Sequence, residues 1–315
     1  MRMMYHPKGY LIQITEEDPV VQIVYYIGIH NFEKEAKGFT NRLCDGRNVL
    51  FLEIDNHKMT EREIIKHFSY KHIPVFLIAS TKRGYHIITR IYAKPNKIFE
   101  LCNSLSEELN TDKDYCKLAK VRENFDFTQI LRLEGKYNEQ DITVKRWLEP
   151  INQWEDRVIQ LYIEHAKFHL SVARLVRQCP MYEPSADDKV LQEGIKHHKK
   201  LQQVLQVLGY KTEVHASMQK GKLILEGYAD AVLGNTVIEI KPPSEEQIQI
   251  GLLQAQYYAA MLGKHTAIVY DYYLRERAQA RALEPPIRYT GYNPPQNVCE
   301  TCMLKNACKK VINIE

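Results

Sequence analysis

The sequence predicts an α+β protein of two domains, and three observations lead there. Its 315 residues exceed what one hydrophobic core of ordinary size takes up. Short apolar β-type runs alternate with amphipathic stretches of helical spacing in both halves. Between the halves lies a charged stretch, residues 139–168, that carries both tryptophans, Trp147 and Trp154, and lacks a Gly/Ser-rich tether. We place the first domain at residues 1–148, a helical linker at 149–168 and the second domain at 169–315. At 44% hydrophobic and 26% charged residues, the chain has ample material for globular cores. Net charge is only +4, so an electrostatic case for nucleic acid rests on local clusters such as His197-His198-Lys199-Lys200, Lys82-Arg83 and Lys309-Lys310. No run is long and apolar enough to span a membrane and no signal peptide opens the chain. A cytoplasmic protein without a membrane partner is expected.

In the first half, residues 10–30 read as strands around an acidic turn at Glu16-Glu17-Asp18-Pro19, and residues 31–43 as a short helix. Asn48–Asn56 is an apolar strand ending in two same-face carboxylates, Glu53 and Asp55. Thr60 followed three residues later by Glu63 is a capping box that opens a helix. Ile73–Ser80 is a buried strand, Thr81–Gly84 a turn, Tyr85–Ile91 a further strand, and 95–110 a helix. Asp126, Arg132 and Lys136 close the half. Three carboxylates can hold two metals that clamp the attacking and leaving oxygens of nucleotidyl transfer. A histidine beside a glycine turn, with Lys82, Arg83 and Lys136, suits a triphosphate.

In that order these residues resemble the archaeo-eukaryotic primase superfamily, the primase-polymerases. The resemblance rests on Glu53 and Asp55, on Ser80-x-x-x-Gly84-x-His86, and on Asp126 shortly before Leu131-Arg132-Leu133-Glu134-Gly135. It implies a sheet domain related to RNA-recognition folds, with Glu53, Asp55 and Asp126 as metal-binding catalytic acids and His86 at the nucleotide. Ser80, Lys82, Arg83, Arg132 and Lys136 would complete the nucleoside-triphosphate site. Glu53 stands where the family usually has Asp, and Glu134 where it has Pro. A non-catalytic nucleic-acid-binding adaptor is therefore the alternative.

The second half centres on Gly227-Tyr-Ala-Asp230, Ile238-Glu239-Ile240-Lys241 and Gln254-x-x-x-Tyr258. A Gly234-Asn235 turn between two apolar runs reads as a hairpin. Glu239 and Lys241, two apart on a strand, project together, and the hairpin brings Asp230 to the same place. Two carboxylates and an ammonium at one site are what metal-assisted phosphodiester hydrolysis needs. A helix over 187–208 carries Gly194 and His198, a strand over 210–217 adds Glu213 as a further acid, and a helix over 245–262 places Gln254 and Tyr258 on one face. A strand at 265–271 and a basic helix around 274–283 follow.

The order Gly194-x-x-x-His198, Asp230, Glu239-x-Lys241, Gln254-x-x-x-Tyr258 resembles the RecB-type branch of the PD-(D/E)XK nucleases. The tail adds Cys299-x-x-Cys302 and Cys308. Three thiols so close indicate a local metal cross-link needing a fourth ligand, for which Cys179 is the natural source. Spacing alone favours zinc. One cysteine before the nuclease motifs and three after them is similar to the iron–sulfur nucleases of the CRISPR-associated Cas-four family and the AddB-type helicase-nucleases. That resemblance implies a restriction-endonuclease-like α/β domain with a 4Fe–4S cluster on Cys179, Cys299, Cys302 and Cys308. It also implies a Mg²⁺ or Mn²⁺ site made by His198, Asp230, Glu239 and the Ile240 carbonyl, with Lys241 beside it and Gln254 and Tyr258 positioning DNA or water. The remaining cysteines, Cys44, Cys102 and Cys116, show no metal spacing. Together the two resemblances imply a DNA-processing enzyme. It would join a single-stranded DNA exonuclease to a primase-polymerase, with DNA, nucleoside triphosphates and replication or CRISPR-adaptation proteins as partners.

Overall fold

The computed structural model describes residues 2–5, 10–15, 18–28, 36–54, 59–109, 113–121, 128–134, 142–185, 187–284 and 292–315. It is mixed α and β and divides into two compact units, Met1–Phe168 with Leu304–Glu315, and His169–Met303. Asp55, Asp126 and Lys136 lie outside the described residues.

The first unit runs β1 (Arg2–Tyr5), β2 (Tyr10–Thr15), β3 (Ile23–Gly28), β4 (Ala36–Thr40), β5 (Asn48–Ile54), α1 (Glu61–Tyr70), β6 (Val75–Ser80), β7 (Tyr85–Ala93), α2 (Pro95–Glu108), α3 (Lys113–Val121), β8 (Ile130–Glu134), β9 (Thr143–Trp147) and α4 (Gln153–His165). Strand β10 (Lys167–Ser171) begins in this unit. Strands β1-β2-β3-β4-β8 form an antiparallel sheet in that order. In the unit's other sheet, β7 pairs antiparallel with β5 and β6, and β6 with β9. The final strand β16 (Ile312–Ile314) joins β7 in parallel. β5 and β6 are buried almost throughout, as their unbroken apolar runs require. Thr60 makes the expected capping box with Glu63 at the start of α1.

Two corrections concern this unit. The helix expected at 31–43 is, where described, strand β4, paired with β3 on one side and β8 on the other. Its Phe39 sits edge-on to Phe51 and Tyr162, with ring centroids 5.6 and 6.0 Å away. Non-local pairing on both edges overrides a neutral local propensity. Cys102 and Cys116, which had no motif to join them, form a disulfide between α2 and α3.

Buried polar groups tie the unit together. Gln129 bridges towards β5, accepting from Phe51 N at 3.1 Å and donating to Phe51 O at 2.9 Å. Arg90 on β7 and Glu155 on α4, both fully buried, make a two-pronged ion pair at 2.9 Å on each arm. Glu155 also accepts from the Tyr92 hydroxyl at 2.8 Å and Ile151 N at 2.9 Å. Its carboxylate thus has four donors, which offsets the desolvation of a buried charge.

The second unit runs α5 (Val172–Leu175), α6 (Asp188–Val207), β11 (Lys211–Lys220), β12 (Leu223–Leu233), β13 (Thr236–Lys241), α7 (Glu245–Met261), β14 (Thr266–Asp271), β15 (Glu276–Arg281) and α8 (Gln296–Glu300). Strand order is β15-β14-β13-β12-β11. All neighbours are antiparallel except β13 and β14, which α7 links as a parallel crossover. The helix expected around 274–283 is instead β15, an edge strand against β14. The reason lies in the turn. The buried Asp271 carboxylate accepts from Tyr273 N at 2.8 Å, Arg275 N at 3.1 Å and Arg275 Nε at 2.8 Å, folding the chain back on itself.

Candidate functional site

The second unit assembles the central motif. On β13, Ile238 and Ile240 pack into a core with Leu205 and Ala231, so Glu239 and Lys241 take the opposite face. Lys241 Nζ lies 2.8 Å from Glu239 Oε2. The hairpin register sets Ala231 against Ile238, which puts Asp230 across from Glu239. Asp230 N donates to Glu239 Oε1 at 3.3 Å, and Ile240 N donates to Asp230 Oδ2 at 2.7 Å. From α6, His198 Nε2 comes to 3.1 Å from the same Asp230 oxygen. Gln254 and Tyr258 are buried on the inner face of α7. Gln254 Oε1 has no hydrogen-bond partner among the described residues.

Two glycines are required here by close approach. A Cβ on Gly227 would lie 2.5 Å from the Tyr258 hydroxyl, and one on Gly251 would lie 2.5 Å from Lys241 Cγ. The first holds Tyr258 against β12; the second lets the lysine stem pass beneath α7.

Electrostatics follow from burial and neighbours. Burial pushes the Glu239 pKa up, Asp230 beside it pushes further, and together they overcome the pull of Lys241 to reach about 8. Burial also opposes Asp230 ionisation, but His198, Lys241 and the Ile240 N–H outweigh it and hold its pKa below the usual carboxylate range. His198 and Lys241 both lose to burial and gain more from the acids, so both pKa values rise. Tyr258 is raised well above a free phenol by burial and by the charges of Glu239 and Asp230. The two buried acids are thus driven in opposite directions, Asp230 down and Glu239 up.

Among the described residues, no group of three or more His, Cys, Asp and Glu side chains stands closed as a metal-binding cluster. The side chains are turned to each other instead: Asp230 to Ile240 N and His198, Glu239 to Lys241. The donor types, two adjacent buried carboxylates with an imidazole beside them, suit a hard divalent cation. Glu213 does not join them; it is exposed and accepts from Gln202 Nε2.

In the same unit Cys179 and Cys302 are buried and Cys299 is exposed. Backbone bonds stitch their segments together. Ser185 N donates to Thr301 O at 3.1 Å and Met303 N to Glu183 O at 2.9 Å, with a β-bridge between Pro184 and Cys302. Cys308 follows six positions after Cys302.

In the first unit, Glu53 on β5 stands opposite His86 on β7, with His86 Nε2 3.7 Å from Glu53 Oε1. The other ring nitrogen of His86 is buried without a partner among the described residues. Burial raises the Glu53 pKa, but His86 and the charges of Arg132 and Arg83 outweigh it and bring it below normal. Arg83 and Lys82 are exposed in the turn before β7. The Ser80 hydroxyl donates to Thr143 O at 3.3 Å. Sequence reasoning passed over Arg177, whose charge reaches Lys241 and Tyr258; it carries no motif and lies within a segment read only for Cys179.

Comparison of the chain with protein-family models, curated proteins and solved structures finds no match.

Proposed function

We propose that the second unit is a metal-dependent nuclease acting on single-stranded DNA ends. The observation that carries this reading is the buried Asp230–Glu239 pair, flanked by Lys241 and His198. His198, Asp230, Glu239 and the Ile240 carbonyl would hold Mg²⁺ or Mn²⁺. Such an ion supplies Lewis-acid polarisation and an activated water. Lys241, fixed against Glu239, offsets negative charge at the phosphate. Gln254 offers its amide to water or substrate, and Tyr258 is held rigid beside it. Cys179, Cys299, Cys302 and Cys308 would carry a 4Fe–4S cluster as a structural staple. Protein purified without oxygen is then brown, whereas a zinc-stapled protein is colourless.

For the first unit we propose nucleotidyl transfer of the primase-polymerase kind. The support is the Glu53–His86 pair with Arg83 and Arg132 around it. The second reading, a nucleic-acid-binding adaptor, is favoured by Glu134, where the family pattern has proline. One experiment tests both: nucleotide incorporation on a single-stranded template with Mn²⁺, comparing Asp230→Ala with Asp230→Ala/Asp55→Ala. Incorporation lost only in the double variant supports a polymerase joined to a nuclease. No incorporation in either, with wild-type cleavage present, supports the adaptor. Absence of wild-type cleavage removes the nuclease reading.

A further inference from the structure

We propose that Tyr228 is a stacking platform for a nucleobase of the single strand, beside the phosphodiester being cleaved. The inference rests on the nuclease reading and adds to it a contact with the bases, which the acids, the lysine and the histidine do not supply. Tyr228 stands two residues before Asp230 on β12. At about 3.3 Å per residue their backbones are roughly 7 Å apart. Stacked nucleotides repeat about every 3.4 Å along a strand. A strand with its scissile phosphate at Asp230 therefore brings a base one or two steps away to Tyr228. The backbone at this point is tied to the site from the inner side. The Tyr258 hydroxyl accepts a hydrogen bond from the Tyr228 backbone, and Gly227 leaves room for it, since a Cβ there would stand 2.5 Å from that hydroxyl.

The side chain itself is open to solvent. Tyr228 is 58% exposed, and His215, directly across from it on β11, is half exposed. Their ring centroids are 5.0 Å apart with the planes inclined at 48°, so the imidazole flanks the phenol ring without covering it. His215 is steadied in turn. Its Nε2 lies 3.8 Å from Glu226 Oε2, and the other oxygen of Glu226 is 2.5 Å from His169 Nε2. An aromatic ring stabilises a fold through the area it buries, and Tyr228 leaves most of its surface in water. What an exposed ring held beside a fixed neighbour offers is its π face. Every base has such a face, so stacking holds a strand whatever its sequence.

The test is binding of two short fluorescein-labelled strands to the full chain in Ca²⁺, across a range of KCl concentrations. One strand is an oligothymidylate and the other an abasic strand with the same number of phosphates. Wild type is expected to prefer the thymidylate. Tyr228→Ala should bind it about tenfold more weakly with the log–log salt slope unchanged, because a stack is lost and no phosphate contact is. Its binding to the abasic strand should stay at the wild-type level. Tyr228→Phe keeps the preference. Tyr228→Leu, which retains apolar bulk without a ring face, loses it; this variant also serves if Tyr228→Ala does not fold. Folded Tyr228→Ala protein that binds both strands as wild type does, or that weakens on both alike as a purely structural role requires, overturns the proposal while wild-type cleavage still upholds the nuclease. A wild-type chain that neither binds nor cleaves DNA overturns both.

Discussion

The contact between Gly227 and Tyr258 allows a test of the site's packing that touches no charged group. Replacing Gly227 by Ala puts a methyl 2.5 Å from the Tyr258 hydroxyl, 2.8 Å from Cε1 and 3.0 Å from Cζ. Tyr258 is 4% exposed, so its ring has little room to retreat. Overpacking of this kind costs about 1–3 kcal/mol. Leucine at 258 lacks all three of those atoms, so in a Tyr258→Leu background the same methyl should cost close to nothing. The double-mutant cycle is therefore expected to give a coupling of at least about 1 kcal/mol. Urea denaturation followed by far-UV circular dichroism measures it, with m-values compared to confirm that the same transition is seen. The cleavage rate with Mn²⁺ should fall in Gly227→Ala as well, because the displaced Tyr258 belongs to the proposed site and feels the charges of Glu239 and Asp230. Costs that add within about 0.5 kcal/mol would refute the reasoning, since they would mean that the two residues do not meet.

Further outcomes follow from other sites. Asp230→Ala should abolish cleavage and leave nucleotide incorporation intact; loss of both in a folded variant, judged by circular dichroism, argues against separate sites. Glu155→Ala should destabilise by about 3–5 kcal/mol by stranding the buried Arg90 charge, and replacing both residues by apolar ones of similar size should recover much of that loss in urea titrations. Asp271 provides the pH test. Burial opposes its ionisation, but the N–H groups of Arg275 and Tyr273 and the guanidinium groups of Arg275 and Arg277 hold its folded pKa below the ordinary value of 3.8. Its stabilising contribution is thus fully present above that ordinary value and is lost as pH falls through the folded pKa. Asp271→Asn should lower stability at neutral pH and flatten the acid limb of a melting-temperature profile; an unchanged acid limb counts against the turn as described.

How much of this was legible beforehand depends on how local each signal is. The Thr60–Glu63 cap is written within one helical turn, and it forms as read. The joint projection of Glu239 and Lys241 follows from the two-residue period of a strand, and the Gly234-Asn235 turn brings Asp230 across to them. His198 was legible only as a spacing along α6; that it comes to Asp230 depends on how α6 lies on the sheet. Elsewhere local signals misled. Ala36–Thr40 and Glu276–Arg281 have composition a helix could use, yet both are strands, because partner edges and the Asp271 turn outweigh weak propensities. Helix α3 and the Cys102–Cys116 disulfide were not anticipated, because a pairing fourteen residues apart has no local pattern.

The sequence by itself determined the elements whose partners lie within a turn or a hairpin: the cap, the motif strands, the α7 face with Gln254 and Tyr258. Only the tertiary structure decided that Glu239 sits buried and beside Asp230, which together push its pKa up. It alone also decided that Gly227 and Gly251 must lack side chains. The physical reason is range: periodicity and capping act between near neighbours, whereas desolvation and Coulomb forces depend on which distant segments fold against one another.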